Sequence, residues 1–170
     1  MMGLKHGVAL VGFMGVGKST VGRVLATRLG LPFIDTDEVL VQRFGNIAVQ
    51  MKRDGEAAFR AREAAVVAEL CDGEPRVVAT GGGAFVDPAS RRRLQHAYLT
   101  VHLAAPLAVL AERVGGEAGR PLWDASVAAR YAARQSVYAE AAVQVDTEGL
   151  TPDEVVVAVL TAVADEGEGA

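Results

Sequence analysis

Apolar residues along this chain recur at two spacings. Short runs rich in β-branched residues, at 8–11, 33–34, 76–79, 98–103 and 143–145, are separated by longer stretches in which apolar positions return at helical intervals. The runs lack strict polar alternation, the mark of strands buried on both faces, so the pattern predicts an α/β domain whose parallel sheet is covered by helices. Helix boundaries agree. One helix is expected over 18–29, stopped by Gly30 before Pro32, and another from Gly55 or Glu56 to about Asp72-Gly73. Asp87-Pro88 and Thr151-Pro152-Asp153-Glu154 each put a capping residue before a proline at the first helical position, the second with capping-box spacing. Asp124 is placed to cap a helix running through Gln135. The glycine- and charge-rich stretch 113–124 interrupts the alternation and reads as a mobile loop, a functional lid or an inert surface segment. The small, acidic last residues read as disordered.

Composition narrows the class. A chain of 170 residues and 51% hydrophobic content is one ordinary domain with no internal repeat or linker, expected over 1–170. Three glycines break the apolar run near the start, which rules out reading it as a signal peptide, and no run approaches a bilayer-spanning length. The formal charge of -4 argues against a sequence-independent grip on nucleic acid or anionic lipid, so any anionic ligand must be held locally. Arginine supplies 14 of the 17 basic residues, a bias that suits carboxylate and phosphate recognition where it falls inside a motif. The single cysteine, Cys71, is read as a small packing residue and favours a reducing compartment, hence the cytoplasm.

The strongest chemical signal is Gly12-Phe13-Met14-Gly15-Val16-Gly17-Lys18-Ser19, followed by Thr20, between a predicted strand and a predicted helix. Glycines there let successive backbone N–H groups wrap a polyphosphate at a helix N-terminus; Lys18 reaches the β- and γ-phosphates and the Ser19 hydroxyl suits Mg²⁺. Asp35 and Asp37 follow the second strand two residues apart and, on extended backbone, would point the same way. Asp35 then holds a magnesium-bound water and Asp37 takes a proton from an acceptor hydroxyl, with capping of the next helix as the competing role for Asp37. Arg60 and Glu63 are helical neighbours, either a site arginine with its orienting carboxylate or a solvated pair. Gly81, Gly82 and Gly83 follow the third strand, where ligands sit in open α/β sheets, although a plain turn would look the same. His6, His96 and His102 are scattered and read as structural, Trp123 as packing, and Arg91, Arg92 and Arg93 as a solvated helix face.

Taken in order, GFMGVGKST, DTD, GEAAFRAREAAVV, GGGAF, GRPLW, RQSVY and VDTEGLTP resemble the shikimate kinases over nearly the whole chain. The resemblance implies a three-layer P-loop fold with a five-stranded parallel sheet in order 2-3-1-4-5, a helical substrate-binding insert at about 35–63 and a lid at about 113–124. It implies transfer of a phosphoryl group from ATP to the 3-hydroxyl of shikimate, with Mg²⁺, on the route to chorismate and aromatic amino acids. By the same resemblance Gly15, Val16, Gly17, Lys18, Ser19 and Thr20 hold the phosphates, and Ser19 and, through water, Asp35 hold the metal. Asp37 binds shikimate hydroxyls and acts as general base. Arg60 and Arg134 clamp the substrate carboxylate beside Gly81, Gly82 and Gly83. Arg120 reaches the transferring phosphate from the lid, and Arg113 and the loop from Val145-Asp146-Thr147 border the adenine. Ser136 stands where the family usually has proline, and Gly149 and Leu150 where a polar or basic residue is common.

Two rivals stay open at the level of sequence: a related small-molecule kinase such as a gluconate kinase, and a non-catalytic nucleotide-binding module. The expected partners are the two small substrates, with no nucleic acid and no membrane, and the expected state is a monomer.

Overall fold

Each of the five apolar runs forms a strand: β1 (Gly7–Val11), β2 (Phe33–Asp35), β3 (Arg76–Ala79), β4 (Leu99–Ala104) and β5 (Val143–Asp146). The computed structural model, which describes residues 7–114 and 125–169, pairs them in parallel in the order β2-β3-β1-β4-β5. Every residue of β1 is buried, and Val8 lies in register with Val77 on one side and Leu99 on the other. A strand enclosed by two neighbours and two helical layers has no wet face, which is why GVALV carries no polar alternation.

Between the strands run α1 (Lys18–Leu29), α2 (Thr36–Phe44), α3 (Ile47–Asp54), α4 (Glu56–Cys71), α5 (Pro88–Ala97), α6 (Leu107–Val114) and α7 (Val127–Tyr138), and α8 (Pro152–Glu168) follows β5. The chain leaves β1 toward β2 in one direction and crosses from β3 to β4 in the other, so right-handed connections place their helices on opposite faces. Accordingly α1 packs with α8, and α4 with α5. Both predicted proline starts are present: the Asp87 side chain accepts from Ser90 N, and Thr151 and Glu154 form a reciprocal capping box. Gly30 closes α1 in the left-handed conformation.

Three expectations about boundaries change. The sequence predicts that the chain is extended through Asp37; instead the strand ends at Asp35, whose carboxylate accepts from Asp37 N and Glu38 N and so caps α2. Asp35 is the cap, and Asp37 sits in the first helical turn. The acidic end is not disordered, because α8 continues to Glu168 from a body packed through Val155, Val156, Val159 and Val163. Helix α7 runs past Gln135 to Tyr138, behind Ser126. Asp124, Trp123, His6, Arg120 and nearly all of the expected lid lie outside the described residues.

Helices α2, α3 and α4 form a compact unit beside β2. The Gln50 amide, with no exposed surface, joins them: it donates to Leu40 O at 3.3 Å and Gly45 O at 2.6 Å and accepts from Arg62 Nη1 at 3.2 Å. A polar side chain survives there because each of these groups finds a partner in it. Among the described residues no helix is long and apolar enough to cross a membrane.

Candidate active site

The site begins where β1 ends. Gly15 and Gly17 take φ values of 87° and 101°, a region side chains with a Cβ avoid, and this backbone curls the loop back onto the start of α1. Lys18 is largely buried and its ammonium donates to Gly12 O at 2.7 Å and Phe13 O at 3.1 Å, which fastens the loop around its own cation. The Ser19 hydroxyl donates to Asp35 Oδ2, while Asp35 Oδ1 caps α2. A cleft of about 300 Å³ is lined by Gly15, Lys18, Ser19, Asp35, Asp37 and Arg113, among others. Of the phosphate-loop residues predicted from sequence, Gly15, Gly17, Lys18, Ser19 and Thr20 surround this cavity, while Val16 lines a neighbouring recess. Arg113, exposed at the end of α6, donates to Val16 O at 3.2 Å and also borders a smaller recess of about 170 Å³ with Gly15, Thr20, Thr147 and Leu150.

The second half of the site lies across the glycines after β3. Gly81 N donates to Thr36 Oγ1 at 2.8 Å, which pins this loop to the first residue of α2. A methyl group placed on Gly81 would lie 2.7 Å from Asp37 Oδ1 and 2.8 Å from Glu63 Oε2, so two carboxylates converge on this glycine. A methyl on Gly83 would lie 2.2 Å from Arg60 Nη1, and one on Gly82 3.4 Å from Arg134 Nη1. At 81 and 83 an added methyl would displace the tips of Asp37, Glu63 and Arg60 from the positions they take here. Arg60, Glu63, Gly83 and Arg134, with Asp87 and Ser90 beyond them, line a second cavity of about 580 Å³.

Electrostatics separate the two halves. Glu63 is buried, and its carboxyl is pushed up from the usual carboxylate range by burial; Arg60, bonded to it at 2.9 Å, opposes the shift, and Asp37 adds to it. The Arg60–Glu63 pair is therefore not a solvated surface pair. Arg134 is also buried, and burial pulls its guanidinium down while the Tyr138 hydroxyl opposes that. Its Nη1 is buried with no hydrogen-bond partner among the described residues, and Arg134 lines the cavity beside Arg60. Two arginines on one cavity wall make a place for a carboxylate.

Sequence reasoning gave no role to Tyr138 or Thr36, read His102 as structural and took Arg91 for a solvated face. The Tyr138 hydroxyl donates to Gly82 O at 2.6 Å, and its ring stacks on His102, centroids 4.9 Å apart at 28°. Arg91 is no solvated face: its Nη1 donates to Phe85 O and Val86 O, both at 3.2 Å, and its Nε faces Glu140 at 3.3 Å. The available signal for Tyr138 was its place one helical turn after Arg134; Arg91 carried none that set it apart from Arg92 and Arg93.

For a divalent cation the donor chemistry is suitable, since Ser19 and Asp35 present adjacent oxygens beside the lysine of the phosphate loop. No group of three or more His, Cys, Asp or Glu side chains able to hold a metal occurs among the described residues.

Comparison with known proteins gives a consistent picture. A family model described as shikimate kinase matches residues 14–164. A shikimate kinase of Geobacter sulfurreducens is 42% identical over 164 residues, covering 93% of this chain and 91% of its own. A solved structure of shikimate kinase from Acinetobacter baumannii in complex with shikimate superposes with a TM-score of 0.88 at 30% identity, covering 95% of this chain and 94% of that one. A gluconokinase from Sinorhizobium meliloti reaches a TM-score of 0.69 at 20% identity over 98% of this chain and 95% of its own, a likeness of fold alone.

Proposed function

The chain belongs to the shikimate kinase family, and from that membership we propose how its residues carry out the ATP-dependent phosphorylation of shikimate. The observation that supports the reading best is the meeting of a phosphate loop and a two-arginine pocket across Gly81, Gly82 and Gly83. ATP lies with its phosphates in the loop formed by Gly15, Val16, Gly17, Lys18, Ser19 and Thr20, and its base in the recess by Arg113, Thr147 and Leu150. Shikimate lies beyond the glycines, its carboxylate between Arg60 and Arg134 and a ring hydroxyl at Asp37.

Asp37 accepts the proton of the 3-hydroxyl as that oxygen attacks the γ-phosphorus, and the bond from the γ-phosphorus to the bridging oxygen of ADP breaks. Lys18 neutralises charge gathering on the phosphate oxygens, and Arg120, matched to the family's lid arginine, joins it on closure. The Ser19 hydroxyl and, through water, Asp35 would hold Mg²⁺, which would supply charge neutralisation on the phosphates. Thr36 and Glu63 keep the pocket in shape, one through Gly81 N and the other through Arg60.

The whole chain acts as one kinase domain, with the insert at about 35–63 forming the acid side and the segment 113–124 closing over the phosphates. It works as a monomer in the cytoplasm. The large exposed apolar side chains among the described residues, Val41, Phe44, Val49, Leu150 and Val157, are spread over α2, α3, the turn before α8 and α8 itself. The free thiol of Cys71 suits a reducing compartment.

ADP release with Mg-ATP tests this, using shikimate against gluconate, quinate and no acceptor, with the phosphorylated acid identified by mass. Shikimate-dependent release is expected, and Asp37→Asn should keep ATP affinity while turnover falls on the order of 10²-fold or more. Release with gluconate in place of shikimate would overturn the substrate; full turnover in Asp37→Asn would overturn the base.

A further inference from the structure

Tyr138 has 1% of its surface exposed and lies one turn after Arg134 on α7. Its hydroxyl crosses from that helix to the glycine loop and donates to Gly82 O at 2.6 Å. Gly82 is also the glycine whose added methyl would lie 3.4 Å from Arg134 Nη1. One bond therefore joins the loop to the helix at the level of the arginine. Because the peptide unit is planar, holding the Gly82 carbonyl also sets the direction of the Gly83 N–H.

The tyrosine ring is itself aimed. It stacks on His102, buried on β4, whose Nδ1 lies 3.3 Å from Gln144 Oε1 on β5. Arg134 is steadied on its other side by the Phe13 ring, 5.7 Å from its guanidinium carbon. The guanidinium is thus placed among aromatic neighbours while Nη1 goes without a hydrogen bond among the described residues, a costly arrangement for a buried donor unless a ligand completes it.

We propose that Tyr138 is a positioning residue for acid recognition: its hydroxyl, aimed by the His102 ring, holds Gly82 at the spacing from Arg134 that a substrate carboxylate requires. This deepens the reading of Arg134 as a carboxylate clamp and rests on it. A tyrosine that merely satisfies its own buried hydroxyl would affect stability and leave the two substrates equally served. A positioning tyrosine acts through Gly82, which lines the phosphate cleft, and its spacing from Arg134, which lines the acid cavity, so the effect on the acid exceeds the effect on ATP.

The test is steady-state kinetics of the full chain with each substrate varied in turn, on Tyr138→Phe, His102→Ala, the double variant and Arg134→Ala as reference. Tyr138→Phe keeps the ring and removes the hydroxyl, and should raise the shikimate KM roughly three- to tenfold, the scale of one neutral hydrogen bond, with a clearly smaller change in the ATP KM. His102→Ala should shift the shikimate KM the same way, and the double variant should be no worse than Tyr138→Phe, since both act through one bond. His102→Ala alone carries the test if Tyr138→Phe does not fold. An unchanged shikimate KM in Tyr138→Phe, a parallel rise for both substrates, or additive effects in the double variant would each overturn the proposal. If Arg134→Ala raises the shikimate KM and Tyr138→Phe does not, the clamp stands and the positioning role falls; if Arg134→Ala changes nothing, both fall.

Discussion

A histidine inside the sheet makes the stability of this chain depend on pH. Burial holds the His102 imidazole below its ordinary value; the Gln144 contact opposes that, and the positive charge of Lys18 reinforces it. The unfolded chain takes up this proton near pH 6.5, before the folded chain does, so the unfolded state binds more protons in between and stability falls as pH is lowered through that window. His102→Phe keeps a ring against Tyr138 and removes the proton site. Calorimetry from pH 7.5 to 5 should show the parent's midpoint falling further than the variant's, by about 2–4 °C for each kcal/mol of linkage; parallel curves would show that His102 contributes none. At this scale the sequence was legible where spacing carries chemistry: Lys18, Ser19, Asp35 and Asp37 line one cleft as their motif suggested. It was not legible at Tyr138, which is distinguished by a bond to a carbonyl 56 residues away, or at Arg91, whose bonds to the turn before its helix leave no mark in residue type.

Helices α2, α3 and α4 hold the acid side of the site, and what unites them is polar. Gln50 serves two carbonyls and one guanidinium, while Arg62 also reaches Asp54 at 2.8 Å, whose carboxyl Arg53 and Arg62 hold well below the usual range. By contrast the Arg43–Glu69 pair is exposed on both sides, and such pairs contribute little. Gln50→Leu, close in volume, leaves Gly45 O and one Arg62 N–H without this partner and Leu40 O with its helical bond alone, and should cost about 1–3 kcal/mol in urea unfolding with the slope unchanged. A neutral result would mean that water replaces the amide. The strands and the capped helices could be read in advance, because burial on two faces and Asp-Pro or Thr-Pro starts leave local marks. The α2–α3 turn left a fainter one, and Asp37 was misread as extended because Asp35 is at once the strand end and the helix cap, two roles that share one backbone conformation. The acidic tail is helical for a non-local reason, the packing of the turns before it.

At the scale of the molecule, the sheet's connectivity brings the carboxyl ends of β1, β2 and β3 together, so that loops distant in sequence share one site. The 2-3-1-4-5 order was accessible only through resemblance to known kinases, since spacing alone does not say which strand pairs with which. That shared site couples ligand binding to folding. A ligand that binds only the folded chain stabilises it by about 2.7 kcal/mol at a hundred times its dissociation constant. Shikimate and a non-hydrolysable ATP analogue should therefore each raise the unfolding midpoint of the parent. Of these two cavities, Arg134 lines the acid one and Lys18 the phosphate one. In Arg134→Ala the shift from shikimate should shrink to near zero at the same concentration while the shift from the analogue persists, and Lys18→Ala should show the reverse. Differential scanning fluorimetry on the two variants with each ligand alone decides the matter. Loss of both shifts in either variant would mean that the two cavities behave as one site and that the division of roles drawn from their linings is wrong.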